Sequence, residues 1–323
     1  MTLPWLAAER SMLDRSISAG RLGHAPMLLG SPGVGKRALA DWLVRRLLCL
    51  EPDAGEPCGR CRACELIEAG AHPDRFELGL LEDKSEILVD QVREFIASLS
   101  LTPSVGASRV GLISPADRLN RNAANALLKT LEEPSGNVWL VLVVDAEHRL
   151  PATVLSRCQR RYVPVPNPDE ALEWLCGRHG DRTRDDAATA LSLADGAPLL
   201  ADDWLGQAGL EQGLAVRDAL AGTLLGRADE SALVAEWQQA PDVIWPWLAR
   251  LTERWLRAVL AEPDAVLSGV PLPARDARVL DRLQACWDQA LAGARLAGKP
   301  VRHDWMFRAW LADWRRLGSS PGR

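Results

Sequence analysis

Short apolar runs alternate with stretches of helical periodicity through the first half of the chain. The clearest run, Val138 to Val144, is rich in β-branched residues and predicts a buried strand. Leu39, Leu43 and Leu47 recur at helical spacing and predict a helix. Strands that alternate with helices favour a parallel sheet covered on both faces. We expect strands at 27–29, 76–78, 110–113, 138–144 and 162–163, and helices over 39–47, 88–99 and 124–131.

Prolines at 164, 166 and 168 interrupt this pattern and mark the best domain boundary in the sequence. Beyond them no convincing strand pattern occurs. The fold class is therefore α/β plus all-α, with an α/β domain over residues 1–165, a small helical domain over 166–203 and a larger helical domain over 204–323. Seven tryptophans are expected to anchor the packing of the helical bundle: Trp237, Trp247, Trp255, Trp287, Trp305, Trp310 and Trp314.

Length, net charge and apolar runs limit the kinds of protein that this chain can be. At 323 residues the chain is long enough for two or three domains. Its formal net charge of −5 gives no support for a protein that wraps DNA by itself, since such proteins carry a basic stripe. No secretory segment and no apolar run of membrane-spanning length is present, so we expect a cytoplasmic protein with no membrane contact. Its seven cysteines would then lie in a reducing compartment, which makes a disulfide framework unfavourable.

The segment from Gly30 to Arg37 reads Gly-Ser-Pro-Gly-Val-Gly-Lys-Arg and matches a phosphate-binding loop up to its last position. A strand precedes the loop and a helix follows it, so Gly30, Gly33, Gly35 and Lys36 are expected to surround an anion site at a helix N-terminus. The template places Ser or Thr after the lysine to hold Mg²⁺. Arg37 stands there instead, and a guanidinium has only donors and cannot ligate a cation.

A second part of a hydrolytic site is also missing. Hydrolysis usually needs an acidic pair at the end of a neighbouring strand. The strand at 110–113 runs into Ser114 and Pro115, and Asp117 is expected to cap a helix. We therefore predict little or no hydrolysis, while ATP or ADP binding is a separate question.

Four cysteines, Cys49, Cys58, Cys61 and Cys64, fall within a short segment with turn-forming Gly and Pro between them. Tetrahedral Zn²⁺ takes four thiolates, and Cys-x2-Cys steps let two sulfurs reach one ion. The spacing predicts a closed, structural zinc site in an insertion over 49–64.

Ser156-Arg157-Cys158 carries no signal by composition, because an arginine in a loop is usually a solvated charge. With the phosphate loop, the four-cysteine insertion and Asn125-Ala-Leu-Leu-Lys-Thr-Leu-Glu-Glu-Pro134, it nevertheless resembles bacterial clamp-loader subunits of the AAA+ class, from the DNA polymerase III holoenzyme. The resemblance covers roughly residues 1 to 200. It implies an AAA+ P-loop module, a helical lid and a helical collar that assembles the oligomer.

The family contains motor subunits (gamma or tau), which hydrolyse ATP, and a stator kind, which does not. Arg37, Ser114 and Pro115 fall where the motor has catalytic residues, and Leu199 or a neighbour falls where it has a second sensor arginine. Arg157 keeps the place of the family's trans-acting arginine finger. The resemblance thus implies a non-hydrolysing stator with no catalytic activity of its own, although some members have also lost the loop lysine that is present here. The implied partners are gamma/tau-like motor subunits and the delta subunit in a hetero-oligomer, and indirectly the sliding clamp and primer-template DNA.

Two alternatives are kept. An active motor ATPase of the gamma/tau kind would need Mg²⁺ held by other residues, such as Asp117 or Asp145. A nucleic-acid-binding module would centre on the cysteine segment, where Arg60 and Arg62 make a thin electrostatic footprint.

Overall fold

The computed structural model describes residues 3–82, 84–133, 137–261, 266–267, 270–271 and 277–318, and for the short segments 266–267 and 270–271 it describes the backbone alone. Two compact units divide the chain, Met1–Gly206 and Gln207–Arg323. The three predicted domains, with boundaries at 165/166 and 203/204, stay a prediction. Pro134, the last residue of the decapeptide, lies outside the described residues.

The first unit is built on a five-stranded, fully parallel sheet with the order β2-β3-β4-β1-β5. Four of the predicted strands are confirmed almost residue for residue. The fifth lies over residues 159–162 instead of 162–163, because Pro26 to Leu29 pair with Gln159 to Tyr162. The strands are β1 (Pro26–Leu29), β2 (Arg75–Leu78), β3 (Arg109–Ile113), β4 (Val138–Val144) and β5 (Gln159–Tyr162).

Helices cover both faces of this sheet, as the fold class predicts. Alternate residues of β4, from Val138 to Val144, share one core cluster with the apolar stripes of α4 and α5. The helix α2 packs against β1, β3 and β4. Sequence periodicity missed α1 and α3. The helices of the unit are α1 (Ala7–Ser18), α2 (Lys36–Leu48), α3 (Arg62–Glu68), α4 (Val89–Leu99), α5 (Arg121–Glu132), α6 (Ala152–Leu155), α7 (Pro168–Arg178), α8 (Arg184–Leu193) and α9 (Pro198–Gly206).

The second unit is a bundle of α10 (Gly209–Leu224), α11 (Glu230–Trp237), α12 (Pro241–Ala261), α13 (Ala277–Leu296) and α14 (His303–Gly318). Two short antiparallel strands, β6 (Val266–Leu267) and β7 (Val270–Pro271), correct the expectation of no strand beyond the prolines. Within the described residues, no helix has the length and apolar character to cross a membrane.

Aromatic rings form the core of this bundle. Trp245 stacks on Phe307 with ring centroids 4.2 Å apart, and Trp310 stacks on Trp314 at 5.2 Å. Five of the seven predicted tryptophan anchors are buried, namely Trp237, Trp247, Trp255, Trp310 and Trp314. The other two are corrections: Trp287 is half-buried, and Trp305 is 66% exposed and lies against the Arg302 guanidinium.

Candidate functional site

The phosphate-type loop leaves the carboxyl end of β1 and enters α2 at Lys36. Gly30, Gly33 and Gly35 have φ angles of 151°, 80° and 99°, a region that L-residues with side chains rarely adopt. At Gly30 a Cβ atom would lie 2.6 Å from the carbonyl oxygen of Val163. The loop therefore has the backbone shape that the glycine spacing predicts.

The Lys36 side chain is turned inward. Its Nζ donates to the carbonyl oxygens of Gly30 at 2.8 Å and Ser31 at 2.6 Å, and it lies 2.6 Å from Oδ1 of Asp145. An ammonium has three N–H donors, so these contacts use all of them. The side chain is only 3% exposed. In this arrangement Lys36 binds the chain's own oxygen atoms and presents no donor to a phosphate.

Asp145 follows β4 directly and is held there by a second carboxylate. Its backbone N–H donates to Oδ1 of Asp117 at 3.1 Å. Asp117 is buried and lies inside a short 3₁₀ helix, Ala116–Arg118. The expectation that Asp117 caps a helix is therefore wrong, because its carboxylate reaches across to the neighbouring strand end. A chain of contacts runs from Asp117 through Asp145 to Lys36.

Arg37 points away from the loop. Its Nε donates to Asp41 at 3.1 Å, and its Nη2 lies 2.7 Å from Oε1 of Glu77. Arg75 joins the same two carboxylates at 3.3 Å each. Arg37 thus points away from the loop, and its guanidinium offers no oxygen ligand to Mg²⁺. Ser114 and Pro115 follow β3, where an acidic pair would be needed.

Two other parts of the first unit hold the loop in place. The backbone N–H of Leu199, in the first turn of α9, donates to the carbonyl oxygen of Gly33 at 3.0 Å. A Cβ atom on Gly33 would lie 2.8 Å from Cβ of Leu200. Near the N-terminus, Nε1 of Trp5 donates to the carbonyl oxygen of Val34 at 2.9 Å. Leu199, which stands at or next to the place where the motor subunits have a second sensor arginine, therefore contacts the loop through its backbone.

The four cysteines of the insertion come together. All four Sγ atoms lie within 4.8 Å of one another, with Cys49 at 3.6 Å from Cys58 and 3.9 Å from Cys61. Four sulfurs at about 2.3 Å from one tetrahedral Zn²⁺ stand about 3.8 Å apart. A disulfide needs about 2.05 Å, and all seven cysteines are free. The cluster therefore fits a zinc site, in which Cys64 is supplied by α3.

The pKa values of the thiols in the cluster are shifted in opposite directions. Burial raises the pKa of Cys61, but hydrogen bonds, led by that from the Cys64 backbone, outweigh it and lower the pKa to about 6. Burial, together with the neighbouring Cys61 and Cys49, raises the pKa of Cys64 to about 12. Burial, with the contacts among the thiols adding to it, therefore opposes ionisation of Cys64 in the absence of a metal. A divalent cation would stabilise the thiolate form of its ligands.

Arg157 lies just after α6, on the surface of the first unit. Its Nη1 donates to the carbonyl oxygen of Thr153 at 2.9 Å, and its Nη2 lies 2.5 Å from Oε1 of Glu132. Sequence reasoning singled out Arg157 by resemblance but missed Glu132, which ends α5. It also weighed Asp145 only as a substitute metal ligand and missed its pairing with Lys36.

Comparison with known proteins gives consistent results. A family model described as DNA polymerase III, delta subunit, matches residues 7–166. A DNA polymerase III subunit delta' from Pseudomonas aeruginosa is 37% identical over 262 residues, which cover 81% of this chain and 79% of that protein. A subunit delta' from Escherichia coli is 38% identical over 218 residues, which cover 66% of this chain and 65% of that protein. A subunit tau from Salmonella typhimurium is 37% identical over 163 residues, 50% of this chain and 25% of that protein.

Proposed function

The chain belongs to the delta-prime family of DNA polymerase III clamp-loader subunits, and we propose that it is a non-hydrolysing stator in DNA replication. It holds a structurally degenerate ATP site of its own and contributes an arginine to the ATP site of a neighbouring subunit. The proposed compartment is the cytoplasm.

The contacts of Lys36 carry this proposal. A P-loop lysine contributes to catalysis by binding the β- and γ-phosphates, and Lys36 spends its three donors on Gly30, Ser31 and Asp145. The Asp145 carboxylate also places a negative charge where a triphosphate would need a positive one. Arg37 is bound to Asp41 and Glu77. The described residues around the loop therefore offer neither a lysine donor free for phosphate nor a Ser or Thr hydroxyl at position 37 for Mg²⁺.

Arg157 is the residue we assign to the neighbour's ATP site. A guanidinium fixed near the γ-phosphate stabilises the charge that spreads over the phosphoryl oxygens in the transition state. Such a finger raises kcat by about 10³–10⁵ in other nucleotidases. A half-exposed arginine at the end of a short helix is accessible for such a contact. ATP hydrolysis in the motor subunit would then report whether the stator is docked.

The partners follow from the same proposal. The relatives include gamma and tau subunits of DNA polymerase III, which supports a hetero-oligomer with gamma/tau-like motors. The delta subunit, the sliding clamp and primer-template DNA complete the proposed assembly. The helical unit Gln207–Arg323 would serve as the oligomerising collar.

Zn²⁺ is the metal that Cys49, Cys58, Cys61 and Cys64 would hold. The ion would supply four metal–sulfur bonds that tie the insertion to the end of α2, and it would have no open position for chemistry. The insertion is already joined to α2 by a hydrogen bond of 2.6 Å from Nε1 of Trp42 to Glu56. The proposed role of the metal is therefore structural.

The test separates the stator from the motor. ATP hydrolysis by the purified chain is measured with Mg²⁺, beside a calorimetric titration with ATP and with its magnesium complex. The stator predicts no turnover above the Lys36→Ala variant. Turnover that Lys36→Ala and chelation of Mg²⁺ both abolish would establish the motor alternative. A salt-dependent DNA affinity of the isolated chain would instead support the nucleic-acid-binding module.

A further inference from the structure

Arg157 is held through both terminal nitrogens of its guanidinium by contacts within its own chain. Nη1 donates to the carbonyl oxygen of Thr153 and lies 3.3 Å from Oγ of Ser156, while Nη2 is paired with Glu132. A guanidinium has five N–H donors. In the part of the chain that the structure describes, these contacts use three, which leaves Nε–H and one hydrogen of Nη2 for another anion.

Both members of the pair are attached to rigid structure. Glu132 follows the buried Leu131 at the end of α5, whose apolar stripe packs into the core of the sheet. The backbone N–H of Arg157 donates to Val154, which is fully buried, and the next residue, Cys158, packs against the same core cluster. The distance between the two backbones is therefore fixed by core packing, and the side-chain pair inherits that geometry.

The ion pair between Arg157 and Glu132 is too exposed to stabilise the fold, but it can orient a side chain. The two side chains are 34% and 49% exposed, so the ion pair contributes little to the stability of the fold. It does restrict the rotamers of a long side chain that would otherwise sample many. Holding a catalytic group in the productive orientation removes an entropy cost from the transition state.

We infer that Glu132 is a positioning residue for Arg157, which holds the guanidinium ready for the triphosphate of a neighbouring subunit. This inference rests on the proposed function, since it needs Arg157 to act in trans. Glu132 does not touch the nucleotide. It binds Nη2 and leaves Nε–H and one hydrogen of Nη2 for the phosphate.

The experiment uses a reconstituted clamp loader and measures kcat and KM for DNA-stimulated ATP hydrolysis. Glu132→Ala is expected to lower kcat on the order of threefold to tenfold with little change in KM. Glu132→Gln should retain part of the rate, because its amide oxygen still accepts a hydrogen bond from Nη2. The matched control is Glu133→Ala, which removes an exposed carboxylate one residue away and should leave kcat unchanged. Assembly of each variant into the loader is checked by gel filtration, and if Glu132→Ala fails to assemble, Glu132→Gln against Glu133→Gln decides.

A double variant makes the inference specific to Arg157. On an Arg157→Ala background, Glu132→Ala should cause no further loss, since its effect passes through the arginine. A further loss there would show an independent role and overturn the inference, as would a Glu132→Ala loader as fast as the wild type. If Arg157→Ala itself left the rate unchanged, the proposed function would fail instead, so the two failures are distinguishable.

Discussion

The ion pair between Lys36 and Asp145 keeps the lysine side chain inside the phosphate loop, and its contribution to stability can be measured. The Nζ–Oδ1 distance is 2.6 Å, with the lysine side chain 3% and the aspartate side chain 41% exposed. Breaking a fully buried pair costs about 3–5 kcal/mol, whereas a fully exposed pair contributes about 0–1 kcal/mol. A pair with one buried and one half-exposed member should lie between, with a coupling free energy of about 1–3 kcal/mol.

The two single variants should differ in a definite order. Asp145→Ala leaves a buried ammonium with two carbonyl partners and no counter-ion, and it should reduce the free energy of unfolding by about 2–3 kcal/mol. Lys36→Met leaves a carboxylate that water can solvate and two loop carbonyls without a donor. It should reduce the free energy of unfolding by about 1–2 kcal/mol. The double variant should be more stable than the sum of the two losses predicts.

Urea unfolding of the ligand-free chain, followed by circular dichroism, measures all four members of this cycle. Lys129→Met is the matched control, because Lys129 is exposed on α5 and its loss should change the free energy of unfolding by less than about 0.5 kcal/mol. A Lys36→Met variant as mild as this control, with a coupling free energy near zero, would show that the pair with Asp145 does not hold the lysine. Lys36 would then be free to bind phosphate.

Two further predictions concern the loop and the cysteines. Gly33→Ala should destabilise the fold by about 2–4 kcal/mol, because its new Cβ would lie 2.8 Å from Leu200 at a φ of 80°. The control Gly70→Ala, at a φ of 67° with open space around it, should cost only about 1 kcal/mol. Equal losses of the free energy of unfolding in urea would contradict the contact of Gly33 with α9. Elemental analysis of the wild type, purified without added metal, should find about one zinc ion per chain. Cys64→Ala should lose this zinc, whereas the control Cys176→Ala should keep it. A wild type without zinc, whose fold stays intact in chelator, would contradict the four-thiolate site.

Local patterns were enough to predict most of the α/β architecture. The β-branched run from Val138 to Val144 can be satisfied only by burial on both faces, and it became the central strand β4. The glycine positions of the phosphate loop and the spacing of the four cysteines likewise encode local geometry. Each of these features is contained in a short segment, so sequence spacing fixes it.

The ion pairs Lys36–Asp145 and Arg157–Glu132 could not be predicted that way, because each joins residues that are distant in sequence. Lys36 meets Asp145 because β1 and β4 are neighbours in the sheet, with Leu29 opposite Val144, so that both strands end at the same edge. Knowledge of the strand order would have placed the aspartate beside the loop. The pairing of Arg157 with Glu132 similarly depends on the packing of α5 against α6. Side-chain partners of this kind follow from tertiary packing and carry no periodic signal.

The roles of Arg157 and Lys36 can be separated by measuring DNA-stimulated ATP hydrolysis in a reconstituted clamp loader. The loader contains this chain as Arg157→Ala, as Lys36→Met or unchanged. If the chain is a non-hydrolysing stator that supplies Arg157, hydrolysis at the neighbouring site falls about 10³-fold in Arg157→Ala and stays close to the wild-type rate in Lys36→Met. The opposite pattern, in which the lysine variant abolishes hydrolysis and the arginine variant does not, would rule out the stator.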